Sequence, residues 1–152
     1  MSIDIGFGDV VTPSPVSIEF PQLLSDVPSV NLKAYSIETV IAEKFHTMLD
    51  RDVFNSRMKD FFDCYQLFLR FDINEQELYQ AIKATFSNRQ LENTPGRMLF
   101  TTEFANGEER NINWNSFLRK IHWKEKLDFP TVMNLLRQKL KPLEERYWKE
   151  MG

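Results

Sequence analysis

The sequence predicts an α+β chain, mainly α: a short N-terminal strand pair followed by a bundle of about five helices. Three observations predict it. Residues 3–11 and 17–20 are β-prone and broken by glycine and proline, whereas from Ser36 onward apolar residues recur at helical spacing. Turn-forming clusters then separate successive periodic stretches. At 152 residues the chain has the size of one domain with a sizeable core.

Ile3-Asp4-Ile5-Gly6-Phe7-Gly8-Asp9-Val10-Val11 reads as a strand running into a loop, because Pro13 and Pro15 forbid helix. Ser17 to Phe20 is its expected partner. Two strands make a poor sheet. The segment 1–30 therefore reads as the edge of something larger, and its exposed strand would favour a homodimer. Residues 31–152 form the expected helical unit.

The first helix starts at Ser36, a good N-cap, with Ile37, Val40, Ile41, Phe45, Met48 and Leu49 on one stripe. A turn over Asp52 to Ser56 leads to a second helix from about Arg57 to Phe71, buried through Phe61, Cys64, Leu67, Phe68 and Phe71. Asp72 and Asn74 offer caps for a third, residues 74–87, packing through Leu78, Ile82 and Phe86. Asn93-Thr94-Pro95-Gly96 is a turn, and Met98 to Thr102 reads as a short extended piece. A fourth helix is expected from Asn113 to about His122. The fifth begins at Phe129-Pro130, with proline in its first turn, and Pro142 should kink or break it before Trp148.

Composition excludes several functions. The formal charge is 19 − 22 = −3, so there is no global attraction to nucleic acid or an anionic membrane. No stretch has the roughly 20 apolar residues that span a bilayer, and no secretory signal opens the chain. Cys64 is the sole cysteine; it sits on an inner helical face, where a small hydrophobe is expected. These features point to a cytoplasmic protein. His46 and His122 have no zinc-ligand spacing with Cys64, and His46 falls on an expected solvated face. Trp114, Trp123 and Trp148, interleaved with acidic residues, read as packing groups rather than a stacking platform.

Charges inside apolar stripes carry the functional signal. With about 100° per residue and Ile37 at zero, Lys44 falls near −20° and Arg51 near −40°, while Glu43 points away near −120°. With Arg57 at zero, Asp60 falls near −60° among apolar residues, Asp63 near −120° at the rim, and Lys59 near 200° on the solvated side. The short turn makes the helices antiparallel neighbours, so Lys44, Arg51, Arg57, Asp60 and Asp63 are expected to converge on one seam. Two readings follow: an ion-paired network that fixes helix packing, or an anion site in which carboxylates orient cations toward a phosphate.

The strings Ile3 to Pro13, Tyr35 to Lys44, and Asn55-Ser56-Arg57-Met58-Lys59-Asp60-Phe61-Phe62-Asp63 resemble the AbiEii/AbiGii toxin family. These are nucleotidyltransferases of the DNA polymerase β-like superfamily, toxins of type IV toxin–antitoxin and phage-defence systems. The resemblance is specific over about residues 3–70. It implies phosphate-facing roles for Lys44, Arg57 and Lys59, catalytic roles for Lys44 and Asp60, and orienting roles for Glu43 and Asp63, while Arg51 joins the phosphate-facing set by its helical angle. It also implies that Asp4 is an acidic residue beside the catalytic metal, and that the reaction is nucleotidyl transfer with Mg²⁺ and a nucleoside triphosphate to a tRNA or protein acceptor.

The departure from the family is equally specific. Family members carry a Gly-Ser or Gly-Gly turn followed by a metal-holding Asp-x-Asp, and no such turn occurs here; Gly6-Phe7-Gly8-Asp9 is a different glycine pattern. The expectation is a C-terminal half, with the 1–30 segment a remnant of the nucleotidyltransferase core, inactive alone and needing no cofactor in that state. An N-terminal half or an antitoxin would be its partner. The alternative is a non-catalytic helical binding or regulatory module, for example one that interacts with a cognate antitoxin.

Overall fold

The structure, a computed structural model, describes residues 14–20 and 30–152. The described chain is mainly helical. Ahead of the helices, β1 (Val16–Phe20) and β2 (Val30–Ala34) pair antiparallel, from Val16 opposite Ala34 to Phe20 opposite Val30. The strand expected over 3–11 lies outside the described residues, and so does the pairing expected between it and 17–20.

Six α-helices follow: α1 (Ile37–Arg51), α2 (Met58–Arg70), α3 (Glu75–Asn88), α4 (Thr102–Asn106), α5 (Glu108–Lys120) and α6 (Phe129–Met151). Side-chain caps start most of them. Ser36 Oγ accepts the Thr39 N–H at 3.1 Å, Asn74 Oδ1 that of Glu77 at 3.1 Å, and Asp128 Oδ1 that of Thr131 at 2.7 Å. Each cap satisfies one of the donors a helix start leaves unpaired and contributes about 1 kcal/mol. A 3₁₀ turn (Asp52–Phe54) reverses the chain between α1 and α2. It opens on Asp52, whose φ of 39° lies in the left-handed region. The strain is offset by the Asp52 carboxylate, whose two oxygens accept the Met98 N–H at 3.0 and 3.1 Å.

One contiguous core joins all six helices. Phe45 and Met48 of α1, Phe61 of α2, Phe86 of α3, Trp114 of α5 and Phe129 of α6 are fully buried. Phe61 and Trp114 close on Phe129 with ring centroids 5.3 and 5.4 Å apart, and Trp114 Nε1 donates to the Leu127 carbonyl at 2.9 Å. Burying each such ring stabilises the fold by about 1.5–3 kcal/mol, so the phenylalanine-rich composition supplies much of the core.

Four expectations are corrected. Met98 to Thr102 is not extended: a turn there leads into α4, because the Thr101 hydroxyl caps it by accepting the Phe104 N–H at 3.1 Å. Next, α5 begins at Glu108 rather than Asn113. Its first turn is polar and carries no apolar period, but Glu108 and Glu109 suit the positive end of the helix dipole. Third, α6 runs unbroken through Pro142. Proline takes away the N–H that would bond the Gln138 carbonyl, but both residues are exposed, so water can satisfy that carbonyl. Finally, His46 is buried rather than solvated, because α3 covers that side of α1 and sets Phe86 edge-on to the imidazole at 6.1 Å.

Candidate functional site

The seam between α1 and α2 assembles from both helices. From the middle of α1, the Lys44 ammonium reaches across to Asp60 Oδ1 at 2.8 Å and Asp63 Oδ2 at 2.8 Å. The two carboxylates sit at i and i+3 on the first two turns of α2, so both face α1. Arg57, at the N-cap position of α2, places Nε 2.7 Å from Asp60 Oδ2. Lys59 reaches forward one turn to Asp63 Oδ2 at 2.5 Å. The result is a chain of alternating charge, Arg57–Asp60–Lys44–Asp63–Lys59, with three cations to two carboxylates.

Burial grades along this chain. The Asp60 side chain is 2% exposed, Lys44 20% and Asp63 24%, whereas Arg57 and Lys59 at the ends are 54% and 71% exposed. Burial pulls the Lys44 ammonium toward neutrality, but hydrogen bonds to Asp60 and Asp63 and their charges outweigh it and raise its pKa. Burial likewise pushes Asp63 upward, yet the hydrogen bonds and charges of Lys44 and Lys59 outweigh it and lower its pKa. Both groups are therefore firmly ionised near neutrality. At Asp60 Oδ2, Arg57 is close enough for an ion pair but not aligned as a hydrogen-bond donor, so this oxygen is charge-compensated without a directed partner. Cys64, fully buried one turn beyond Asp60, has its thiol pushed far up by burial and is no nucleophile.

The seam thus brings together Lys44, Arg57, Lys59, Asp60 and Asp63. It does not bring in Arg51, which is exposed at the end of α1 and has no acidic partner among the described residues. Glu43 turns the other way, pairing with Arg89 and accepting from the Thr85 hydroxyl at 3.5 Å, so it ties α1 to α3. Asp4 lies outside the described residues.

Two open recesses flank the seam. One, of about 380 Å³, runs past Lys44 and Asp63 between Val40, Leu67 and Phe71. The other, of about 490 Å³, opens from Arg57, Lys59 and Asp60 onto a face of α5. Its far wall is Asn113, Ser116, Phe117 and Lys120, which sequence reasoning did not single out. Their spacing of three and four residues puts Asn113, Ser116 and Lys120 on one helical face, but that pattern alone does not say what the face meets.

A metal has a poor home here. Asp60 and Asp63 are already engaged by cations, and no group of three potential metal ligands occurs among the described residues. An Asp-x-Asp pair does stand at Asp50 and Asp52, but without a glycine turn, and the Asp52 carboxylate is spent on the Met98 N–H. The described residues do not fit a divalent cation.

The family described as "Nucleotidyl transferase AbiEii toxin, Type IV TA system" has a sequence model that matches residues 1–137. The chain belongs to the AbiEii nucleotidyl transferase toxin family. Membership in a toxin–antitoxin family implies an antitoxin counterpart. No curated protein and no solved structure matches the chain. Among the described residues of this AbiEii-family chain, no helix is long and apolar enough to cross a membrane. The match spans the segment holding Lys44, Arg57, Lys59, Asp60 and Asp63, so the charged seam lies inside the shared sequence.

Proposed function

We propose that the α1–α2 seam is the phosphate-facing half of a nucleotidyl-transfer site. In this reading Lys44 and Arg57 meet the phosphates of a nucleoside triphosphate, Asp60 and Asp63 fix the direction of those cations, and Lys59 adds charge at the exposed end. The observation that supports it is the imbalance of the seam: three cations against two carboxylates, with the outer cations half or more exposed. The reaction would join an acceptor hydroxyl oxygen to the α-phosphorus, breaking its bond to the β-phosphate so that pyrophosphate leaves. The acceptor is a tRNA or a protein. Carboxylates for Mg²⁺ come from outside the seam, Asp4 among them, and the helical part is inactive without them.

A second reading is favoured by a different observation. Each charge in the seam already has an opposite partner within it. The helices would then be a non-catalytic module, held rigid by the network, that contacts a cognate antitoxin or regulates another chain.

Thermal unfolding with and without millimolar nucleoside triphosphate separates the two. Transfer-site geometry predicts a rise in melting temperature, since ligand at about 100 times its Kd adds about 2.7 kcal/mol. Lys44→Ala should remove that rise. No shift with any nucleoside triphosphate sinks the first reading, and label transferred by the purified chain alone overturns the statement that it is inactive by itself.

A further inference from the structure

We infer that phosphate binding extends from the seam into the recess between the start of α2 and α5, a subsite that shares Arg57 and Lys59 with the seam and whose outer wall, with Lys120, is built by α5. Four features meet there. The recess has a volume of about 490 Å³, room for a phosphate group and part of what it is attached to. Its lining carries Arg57, Lys59 and Lys120 against the single carboxylate of Asp60. The Arg57 guanidinium spends only Nε on Asp60. Among the described residues no acceptor lies on its terminal nitrogens, which leaves the paired N–H fork that matches two phosphate oxygens. Lys120, exposed at the end of α5, has no acidic partner among the described residues.

The remaining lining suits the same ligand. Ser56, Asn113 and Ser116 present hydroxyl and amide donors, and the half-buried Phe117 ring sits beside them. Phe117 is fixed edge-on to Phe62 at 5.6 Å, so the wall is held by the core rather than by the ligand. Donors and cations around an open recess recognise a phosphate, whether the polyphosphate tail of a nucleotide or the backbone of an RNA acceptor. Its assignment to nucleotidyl transfer rests on the reading of the seam; the phosphate binding itself does not.

The experiment measures binding of inorganic tripolyphosphate and of a short single-stranded RNA to the full chain, at low and moderate salt, by calorimetry. Wild type is compared with Lys120→Glu and with Lys44→Ala. Lys120 is exposed in the last turn of α5, so its reversal should lower the melting temperature by only a few degrees through the helix dipole and leave the protein folded. Losing one charge-assisted contact and gaining a repulsive one should weaken binding about tenfold or more. Weakening for tripolyphosphate as well as RNA identifies a polyphosphate tail, and weakening for RNA alone identifies an acceptor backbone. Binding of both probes unaffected by Lys120→Glu, or no binding of either, overturns the subsite. If Lys120→Glu weakens binding while Lys44→Ala changes nothing, the subsite stands and the transfer reading of the seam fails.

Discussion

Removing the Lys44 ammonium while keeping its aliphatic stem, as in Lys44→Met, should destabilise the fold by about 2–3 kcal/mol. Breaking a buried ion pair by deleting one partner costs about 3–5 kcal/mol, because the other charge is left desolvated. Here the loss strands Asp60 Oδ1 on a side chain that is 2% exposed. Two features reduce the cost. Lys44 retains some contact with water, and Asp60 and Asp63 keep Arg57 and Lys59. For a chain of this size, about 2–4 °C per kcal/mol gives a fall of about 4–12 °C in melting temperature.

The double variant Lys44→Met/Asp60→Leu sharpens the test. An apolar pair in place of a buried ion pair is often neutral, so the double variant should recover most of the loss, with a coupling of about 2 kcal/mol. Urea unfolding followed by far-ultraviolet circular dichroism at pH 7 supplies the energies, with an unchanged slope confirming the same unfolding transition. A single-variant loss below about 1 kcal/mol, or a double variant as unstable as the two single losses added, would refute the description of Lys44 and Asp60 as a desolvated, mutually dependent pair.

Two further outcomes test the surrounding structure. Asp63 has a lowered pKa, so its contribution is present above its ordinary value of 3.8 and is lost as pH falls through its folded value; Lys44, raised from 10.5, loses its share only as pH rises beyond that. The stability gap between wild type and Asp63→Asn, measured by urea midpoints, should therefore be constant from pH 5 to 9 and close on acidification below 3.8. A gap unchanged at pH 3 contradicts this. His46, whose pKa burial and Arg89 lower, titrates in both variants and cancels. Separately, Trp114→Phe should cost about 2 kcal/mol, combining lost ring volume with a Leu127 carbonyl left without its donor. A loss within about 0.5 kcal/mol would show that the site is no tighter than a surface position.

The helices were legible where one periodic stripe and one cap stand together, as at Ser36 with Ile41, Phe45 and Met48. The seam was legible for a related reason: Lys44 and Asp60 are charges at apolar angles, and such charges must find each other. Arg51 lay near the angle of Lys44 but not at its depth, since it stands exposed in the last turn of α1 and no carboxylate pairs with it among the described residues. His46 was misplaced because one helix's period shows its most apolar face and is blind to a second neighbour; α3 covers the other side, where Glu43, already expected to point away from the seam, pairs with Arg89. The polar start of α5 and the five-residue α4 carry too few apolar residues for any period to register. The α5 wall of the recess was hidden for a different reason, because a stripe of Asn113, Ser116 and Lys120 acquires meaning only once tertiary packing sets it opposite Arg57.

The ion-pair and anion-site readings of the seam differ less in contacts than in what the contacts leave over. An alternating chain with an even number of members would be neutral and closed. This one has five, begins and ends on a cation, and exposes both ends while burying Asp60 and half-burying Asp63. An incoming phosphate would therefore meet Arg57 or Lys59 before it meets Asp60 or Asp63, and the further charge lining the recess, Lys120, is also positive. The same pairs that stabilise the packing of α1 on α2 hold the outer cations in fixed directions, which lowers the ordering cost of binding. Stability measurements alone cannot divide the two roles, because Lys44 serves both. Phosphate affinity in the Lys44→Met/Asp60→Leu background can: packing is restored there and the net charge of the seam is unchanged, while the positioned ammonium is gone together with the carboxylate that directs Arg57, so a lost affinity belongs to the ligand contact and not to the packing.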